Sequence, residues 1–211
     1  MTKISGKRGE TRDMEKQKIV FLHGAQGVGK TTITNLLREK LTHTTLIRLA
    51  GVPSYQEEAD KKAMLYHLSL MDGMNRTFGT GMNYIVDRSF LCEKVYSNLG
   101  YKPHTFEDEV IIIENVLETM TEYFDIYFVL LKANEETLQQ RLRQREKAQF
   151  EAVQFKVENS LAQQKEYEKE FLSLPKSVHL LGIEVDGMSS DFISDFIVNQ
   201  IFRKEETQHD D

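Results

Sequence analysis

Residues 24–31 read Gly24-Ala25-Gln26-Gly27-Val28-Gly29-Lys30-Thr31, an order of small, cationic and hydroxyl side chains suited to holding a polyphosphate. Gly24, Gly27 and Gly29 permit a tight turn that points backbone N–H groups inward, where a Cβ would obstruct them. Lys30 would reach the β- and γ-phosphates and Thr31 would offer a hydroxyl to Mg²⁺. Ala25, Gln26, Val28 and Thr32 would complete the wall around the phosphates. An apolar run at 18–23 precedes the loop and an amphipathic pattern at 31–41 follows it. The motif thus has the strand and the helix N-terminus that anion binding requires, and it predicts an ATP or GTP site.

Two further clusters could act on such a ligand. In Tyr84-Ile-Val-Asp87-Arg88-Ser89, an acid ends an apolar run and an arginine follows directly. Asp87 could hold Mg²⁺ through water or take a proton from an attacking hydroxyl, and Arg88 could clamp a phosphate with two parallel hydrogen bonds. The plainer alternative makes Asp87 a cap for the helix near Phe90 and pairs Arg88 with a surface acid. The third cluster is Arg141-Leu-Arg143-Gln-Arg145-Glu-Lys147. Arg141 and Arg145 are four apart and share a helical face, with Lys147 at the helix end or just beyond it. A lid carrying these cations could neutralise charge on a transferring phosphoryl group, although a solvated basic face explains the same residues.

The elements that must position these groups follow from periodicity. Short β-favouring runs lie at 18–23, 44–49, 83–86, 125–131 and 177–181. Helical patterns fill the intervals: 31–41, 57–75, a stretch from 90 interrupted near Gly100 and Pro103 and resuming to 123, 135–145, 150–172 and 191–202. Strands alternating with helices imply right-handed crossovers and a buried parallel sheet. The expectation is a three-layer α/β phosphate-loop fold with a five-stranded parallel sheet and a helical lid, its ligands at the carboxyl ends of the strands.

Composition suits one enzyme-sized domain at 17–204, with 211 residues in the chain and 40% of them hydrophobic. Residues 1–16 are polar and charged, residues 205–211 are acidic, and both read as flexible tails. A net charge of -6 argues against a long nucleic-acid partner. The single cysteine, Cys92, forms no internal disulfide, reads as a small buried hydrophobe and points to a reducing compartment. No apolar run reaches the roughly 18 residues a bilayer span needs, so a cytoplasmic location and no membrane partner are expected.

The loop at 24–31, Asp87-Arg88-Ser89 and Arg141-x-x-x-Arg145-x-Lys147, in this order, resemble the thymidylate kinase and deoxynucleoside kinase group over residues 18–202. The second element is a hybrid of the Asp-Arg-Tyr of the former and the Glu-Arg-Ser of the latter. The resemblance implies ATP with Mg²⁺, a small nucleotide or nucleoside acceptor, an arginine-bearing lid and frequent homodimers. By that likeness Lys30 stabilises the transferred phosphate and Arg88 holds the acceptor's 5′ end. Arg141, Arg145 and Lys147 form the lid, and Val185-Asp186-Gly187 lies near adenine.

Two departures bear on the acceptor. Thymidylate kinases carry an acid at the third loop position, where this chain has Gln26. Deoxynucleoside kinases end the second strand with Glu-Pro, where this chain reads Leu49-Ala50-Gly51-Val52-Pro53, the nearest acids being Glu57 and Glu58. A nucleoside hydroxyl needs proton removal more than an anionic monophosphate does, so the expected acceptor is a nucleoside monophosphate, with a nucleoside 5′-hydroxyl as the alternative. The stripe Met64, Tyr66, His67, Met71 and Met74, in the place where the family binds the base, reads as core packing, and His23 as a satisfied strand-end histidine. A regulatory GTPase would need an Asn-Lys-x-Asp sequence, and a motor ATPase an acid followed by Glu at residues 87–88; neither is present.

Overall fold

The computed structural model describes residues 16–51, 57–146 and 156–203. Five strands alternate with helices along the chain: β1 Gln17–Gly24, α1 Lys30–Lys40, β2 Thr44–Arg48, α2 Ala59–Asn75, β3 Asn83–Asp87, α3 Phe90–Asn98, α4 Glu107–Met120, β4 Phe124–Lys132, α5 Glu135–Glu146, α6 Val157–Leu172, β5 His179–Glu184 and α7 Ser190–Ile201. The strands form one sheet in the order β2-β3-β1-β4-β5, every neighbouring pair parallel. This is the expected α/β phosphate-loop architecture.

Alternation along β1 builds two cores. Ile19 and Phe21 join Val86, Ile126 and Phe128 on one face, beneath α2, α3, α4 and α6. Val20 and Leu22 join Ile85, Val129 and Leu131 on the other, beneath α1 and α7. With both faces covered, the middles of the central strands are apolar on both sides, which is why they read as continuous runs. Phe128 is fully buried and stacks on Phe21 at 4.8 Å; truncating it to alanine should cost about 3–5 kcal/mol.

The connection from β3 to β4 passes from one side of β1 to the other, so the chain reverses its direction of travel at the central strand. A crevice opens at the carboxyl ends of the strands at such a reversal. The register sets Leu22 beside Asp87, which brings the residues after β1 and the end of β3 together.

Most expected elements lie within two residues of their sequence bounds. β5 begins at His179 and runs on to Glu184, later than the expected 177–181, because this edge strand buries only Ile183 and has Gly182 within it. The interruption expected near Gly100 and Pro103 separates α3 from α4, with Gly100 at φ 70°. The tail at 205–211, all but Lys16 of the tail at 1–16, Val52, Pro53, Lys147 and the first part of the helix expected at 150–172 lie outside the described residues. Among the described residues no helix is long and apolar enough to cross a membrane.

Candidate active site

The loop after β1 takes a conformation that side chains rarely adopt. Gly24, Gly27 and Gly29 have φ of 142°, 89° and 104°. A Cβ on Gly24 would stand 2.4 Å from the Leu131 carbonyl oxygen of β4, so the loop could not leave the sheet this way with any other residue. Gly29 is the N-cap of α1 and supplies no side-chain cap, and the first turn of α1 contains no acid. The partial positive charge at that helix end is therefore directed at the loop without a protein counter-charge in its first turn. The Lys30 ammonium donates to the Gly24 carbonyl at 2.7 Å and the Ala25 carbonyl at 2.9 Å, which holds it across the loop.

Asp87 is buried at the end of β3, beside the loop. The Thr31 hydroxyl donates to its Oδ2 at 3.3 Å, and Arg48 Nε from the end of β2 approaches the same oxygen at 4.0 Å. Its Oδ1 is buried and has no hydrogen-bond partner. One hydroxyl and one carboxylate with an unpartnered buried oxygen form a donor set that fits Mg²⁺, which takes one or two protein oxygens and keeps waters for the rest. Asp87 does not cap α3. Ser89 does, its hydroxyl accepting from the Leu91 amide at 3.2 Å.

Arg88 is the residue between these two roles, and its backbone sits at φ 80°. A non-glycine residue there carries strain, which the Arg88 amide's hydrogen bond to the Leu22 carbonyl at 3.3 Å helps to hold. Its exposed side chain faces a cleft of about 600 Å³ that it shares with Gln26, Lys30, Thr31, Tyr96 and Gln163. Arg88, Tyr96 and Lys102 also line a smaller pocket of about 270 Å³ that runs toward the end of β2, past Leu49, Gly51, His67 and Glu93. The loop side thus offers backbone amides and Lys30, while the far side offers aromatic, cationic and acidic side chains.

Burial keeps two histidines near this site neutral. His23, near the end of β1, is fully enclosed; burial, then the proximity of Lys30 and of His67, lower its pKa from 6.5 to about 3. Its Nε2 meets the Ser89 hydroxyl at 3.2 Å, which is the satisfied strand-end role read from the sequence. His67 on α2 is lowered to about 4, chiefly by burial and then by Lys102. Ala63, Met71 and Met74 bury the core-facing side of the same helix, while Tyr66 is 40% exposed, so the methionine stripe is packing and His67 alone among the stripe reaches the pocket. Cys92 is buried, as expected, with its Sγ 3.9 Å from His23 Nδ1.

Arg141 is held against the glycine loop. Its Nη1 donates to the Val28 carbonyl at 2.6 Å and its Nη2 to the Val185 carbonyl at 3.4 Å, so the guanidinium ties α5 to the back of the loop and to the turn after β5. That turn is fixed in place by the Asp186 carboxylate, which accepts from the Asn134 amide at 3.0 Å. Arg145 belongs to α5, and Lys147 lies outside the described residues. Thr32 is exposed in the first turn of α1.

Sequence reasoning missed Glu93, Tyr96, Lys102 and Gln163. Gln163 of α6 is buried and its Oε1 accepts from the Gln26 amide at 3.0 Å. The signal for Glu93 was available: it is an acid among Phe90, Leu91, Cys92 and Val95, the buried face of α3. A charge on a buried face is informative because it must be paired there.

A family model described as an AAA domain matches residues 20–166, well over half of the chain. The chain belongs to that family. No curated protein sequence matches it. Among solved structures, this AAA-domain chain is similar to the Deinococcus radiodurans tunicamycin resistance protein, at 14% identity over 90% of this chain and 98% of that one, with a TM-score of 0.55. It is also similar to deoxyadenosine kinase from M. mycoides in two forms. The form with the products dCMP and a flexible dCDP bound gives 17% identity over 86% and 97% of the two chains, with a TM-score of 0.58. The form with bound dCTP gives 20% identity over 87% and 98%, with a TM-score of 0.51. These likenesses establish the fold, a nucleoside-kinase-like phosphate-loop domain.

Proposed function

We propose that this chain is an ATP-dependent phosphotransferase that passes the γ-phosphoryl group to a small nucleoside-class acceptor, a nucleoside monophosphate in the first reading. The observation that carries it is the convergence of the glycine loop with Lys30, the Thr31–Asp87 pair and the outward-facing Arg88 on one cleft. The loop amides and Lys30 would hold the donor phosphates, while Thr31 and Asp87 would hold Mg²⁺, which when bound neutralises phosphate charge. Arg88 would clamp the acceptor's phosphate end, with the Lys102–Glu93 pair lining the same side. Rate enhancement would then come from positioning and fixed charge, the main resources in phosphoryl transfer.

The lid is assigned to Arg145 and Lys147. Arg141 is assigned to the donor side, where its contacts to the Val28 and Val185 carbonyls would shape the nucleotide pocket. A nucleoside 5′-hydroxyl as acceptor is the second reading, favoured by the buried carboxylate of Glu93 in the acceptor pocket. Incubating the chain with labelled ATP and a panel of nucleosides and monophosphates tests both. Label transferred to a monophosphate supports the first reading, and label transferred to a nucleoside supports the second. No transfer to any member, with ATP bound, would remove the proposal.

A further inference from the structure

A glutamine carboxamide has an acceptor end and a donor end, so fixing one end assigns the other. Gln163 of α6 is 2% exposed, and its Oε1 accepts from the Gln26 amide at 3.0 Å. An N–H must face an oxygen, and this contact therefore leaves the donor end, Nε2, for the cleft. Gln163 lines the larger cleft together with Lys30, Thr31 and Arg88, and no described residue accepts from Nε2. Two N–H bonds at so enclosed a position are costly unless something in the cleft takes them.

The next residue along α6 shows what a purely structural glutamine does here. Gln164 Oε1 accepts from the Ala133 amide at 2.9 Å, just after β4, and Gln164 does not line the cleft. The two glutamines tie α6 to the segments that follow β1 and β4, and Glu170, two turns on, pairs with Lys94 of α3 at 2.6 Å. A side chain on a helix anchored at three points is in place before any ligand arrives, and such a donor needs no reorganisation as charge develops. An oxygen for the Gln26 amide would be supplied at least as well by a glutamate, with a charge-assisted bond. Glutamine differs in setting a donor, rather than a negative charge, beside the phosphate loop.

We infer that Gln163 is a catalytic residue of the proposed reaction, its Nε2 donating a hydrogen bond to a non-bridging oxygen of the γ-phosphoryl group as that group crosses the cleft. This rests on the kinase reading and adds to it a neutral donor that comes from neither the glycine loop nor the arginines. In the step, the bond from the γ-phosphorus to the oxygen it shares with the β-phosphate breaks, that oxygen leaves with ADP, and a bond forms to the acceptor oxygen. Gln163 gives up no proton. The non-bridging oxygens move toward a plane as the group detaches, so a fixed donor can meet the transition state better than it meets bound ATP.

Two variants of the full chain separate this role from holding the loop. Gln163→Met keeps the length of the side chain and removes both ends of the carboxamide, whereas Gln163→Glu keeps an oxygen for the Gln26 amide and removes the donor. Each should lower kcat with the best acceptor of the panel by about tenfold or more. For Gln163→Met, calorimetry should find ATP affinity within about threefold of wild type, and affinity for ADP with aluminium fluoride, Mg²⁺ and acceptor, a mimic of the transferring group, at least about tenfold lower. If Gln163→Met turns over as wild type does, or weakens ATP and the mimic equally, Gln163 only positions the loop and the inference is overturned. Wild-type kcat in Gln163→Glu overturns it too, and that variant carries the test if a thermal melt shows that Gln163→Met does not fold. Failure of the kinase reading would appear differently, as wild type that binds ATP and acceptor and transfers no label.

Discussion

The proposed donor half of the cleft and its proposed acceptor half are built by opposite means. The donor half comes from one unbroken segment, residues 24–32, and works largely through backbone: three glycines at positive φ, a helix N-terminus and one lysine folded across the turn. The acceptor half is made of side chains from separate elements, Arg88 after β3, Glu93 and Tyr96 from α3, His67 from α2 and Lys102 from the loop before α4. Backbone recognition of a phosphate is general and tolerates little change. Side-chain recognition from scattered elements leaves the same scaffold free to alter its acceptor.

The comparison breaks most easily at Lys30. Lys30→Ala should lower kcat by about 10²–10³-fold, the size of effect seen when a fixed donor to developing charge is removed. The fold should remain, since the ammonium's hydrogen bonds to the Gly24 and Ala25 carbonyls stay within its own loop. Steady-state kinetics with the best acceptor, beside a thermal melt, checks this; wild-type turnover would remove Lys30 from the site. Asp87→Asn is expected to cost somewhat less and to shift the Mg²⁺ dependence of the rate to higher concentration. The asparagine keeps the size of the side chain and loses the charge next to Thr31.

Arg88 tests whether the halves are functionally separate. Arg88→Ala should raise the acceptor KM and lower kcat, each by about tenfold, as loss of a charge-assisted contact would, and leave ATP affinity near wild type. ATP affinity collapsing while acceptor affinity held would exchange the two sides.

The same division governs what could be read in advance. The loop was legible because its chemistry depends on residues adjacent in sequence, so motif and structure coincide. The strands were legible where both faces are buried, as in β1 and β4, and least so at β5, an edge strand with a single buried residue. Glu93 and Lys102 could not be paired from spacing, because nine residues and a turn through Gly100 separate them and only the packing of α3 brings them together. Arg141 shows the converse. Its spacing from Arg145 suggested a shared lid role, but the loop carbonyl of Val28 lies within reach of α5 and the guanidinium is engaged there.

That engagement makes a smaller prediction. Arg141→Ala should weaken ATP binding by about three- to tenfold through loss of hydrogen bonds from a charged group, with kcat at saturating ATP changed less. Arg145→Ala should show the reverse pattern, a fall in kcat with ATP affinity kept. Titration of ATP against each variant separates them. If both variants lose kcat alone, the two arginines act together as a lid and the donor-side role of Arg141 is wrong.

The mildest probe uses pH, and it reads the two halves through their histidines. His23 lies under the loop and His67 in the acceptor pocket, and burial holds both neutral, at pKa values of about 3 and about 4. In the unfolded chain each would take up a proton near pH 6.5. Between that value and the folded pKa the unfolded state binds more protons, so stability rises with pH. The contribution is complete above about pH 6.5 and is lost as pH falls, down to about 4 for His67 and about 3 for His23. Each histidine therefore adds a slope of up to about 1.4 kcal/mol per pH unit within its window. Urea unfolding of wild type and His67→Gln from pH 6.5 to 5, above most carboxylate titration, should give a shallower slope for the variant. His23→Gln should flatten the same range, from the position where His23 meets the Ser89 hydroxyl that caps α3. Equal slopes in wild type and both variants would mean that the histidines gain protons in the folded chain, and that the region beneath the loop is as open to water as the pocket beside it.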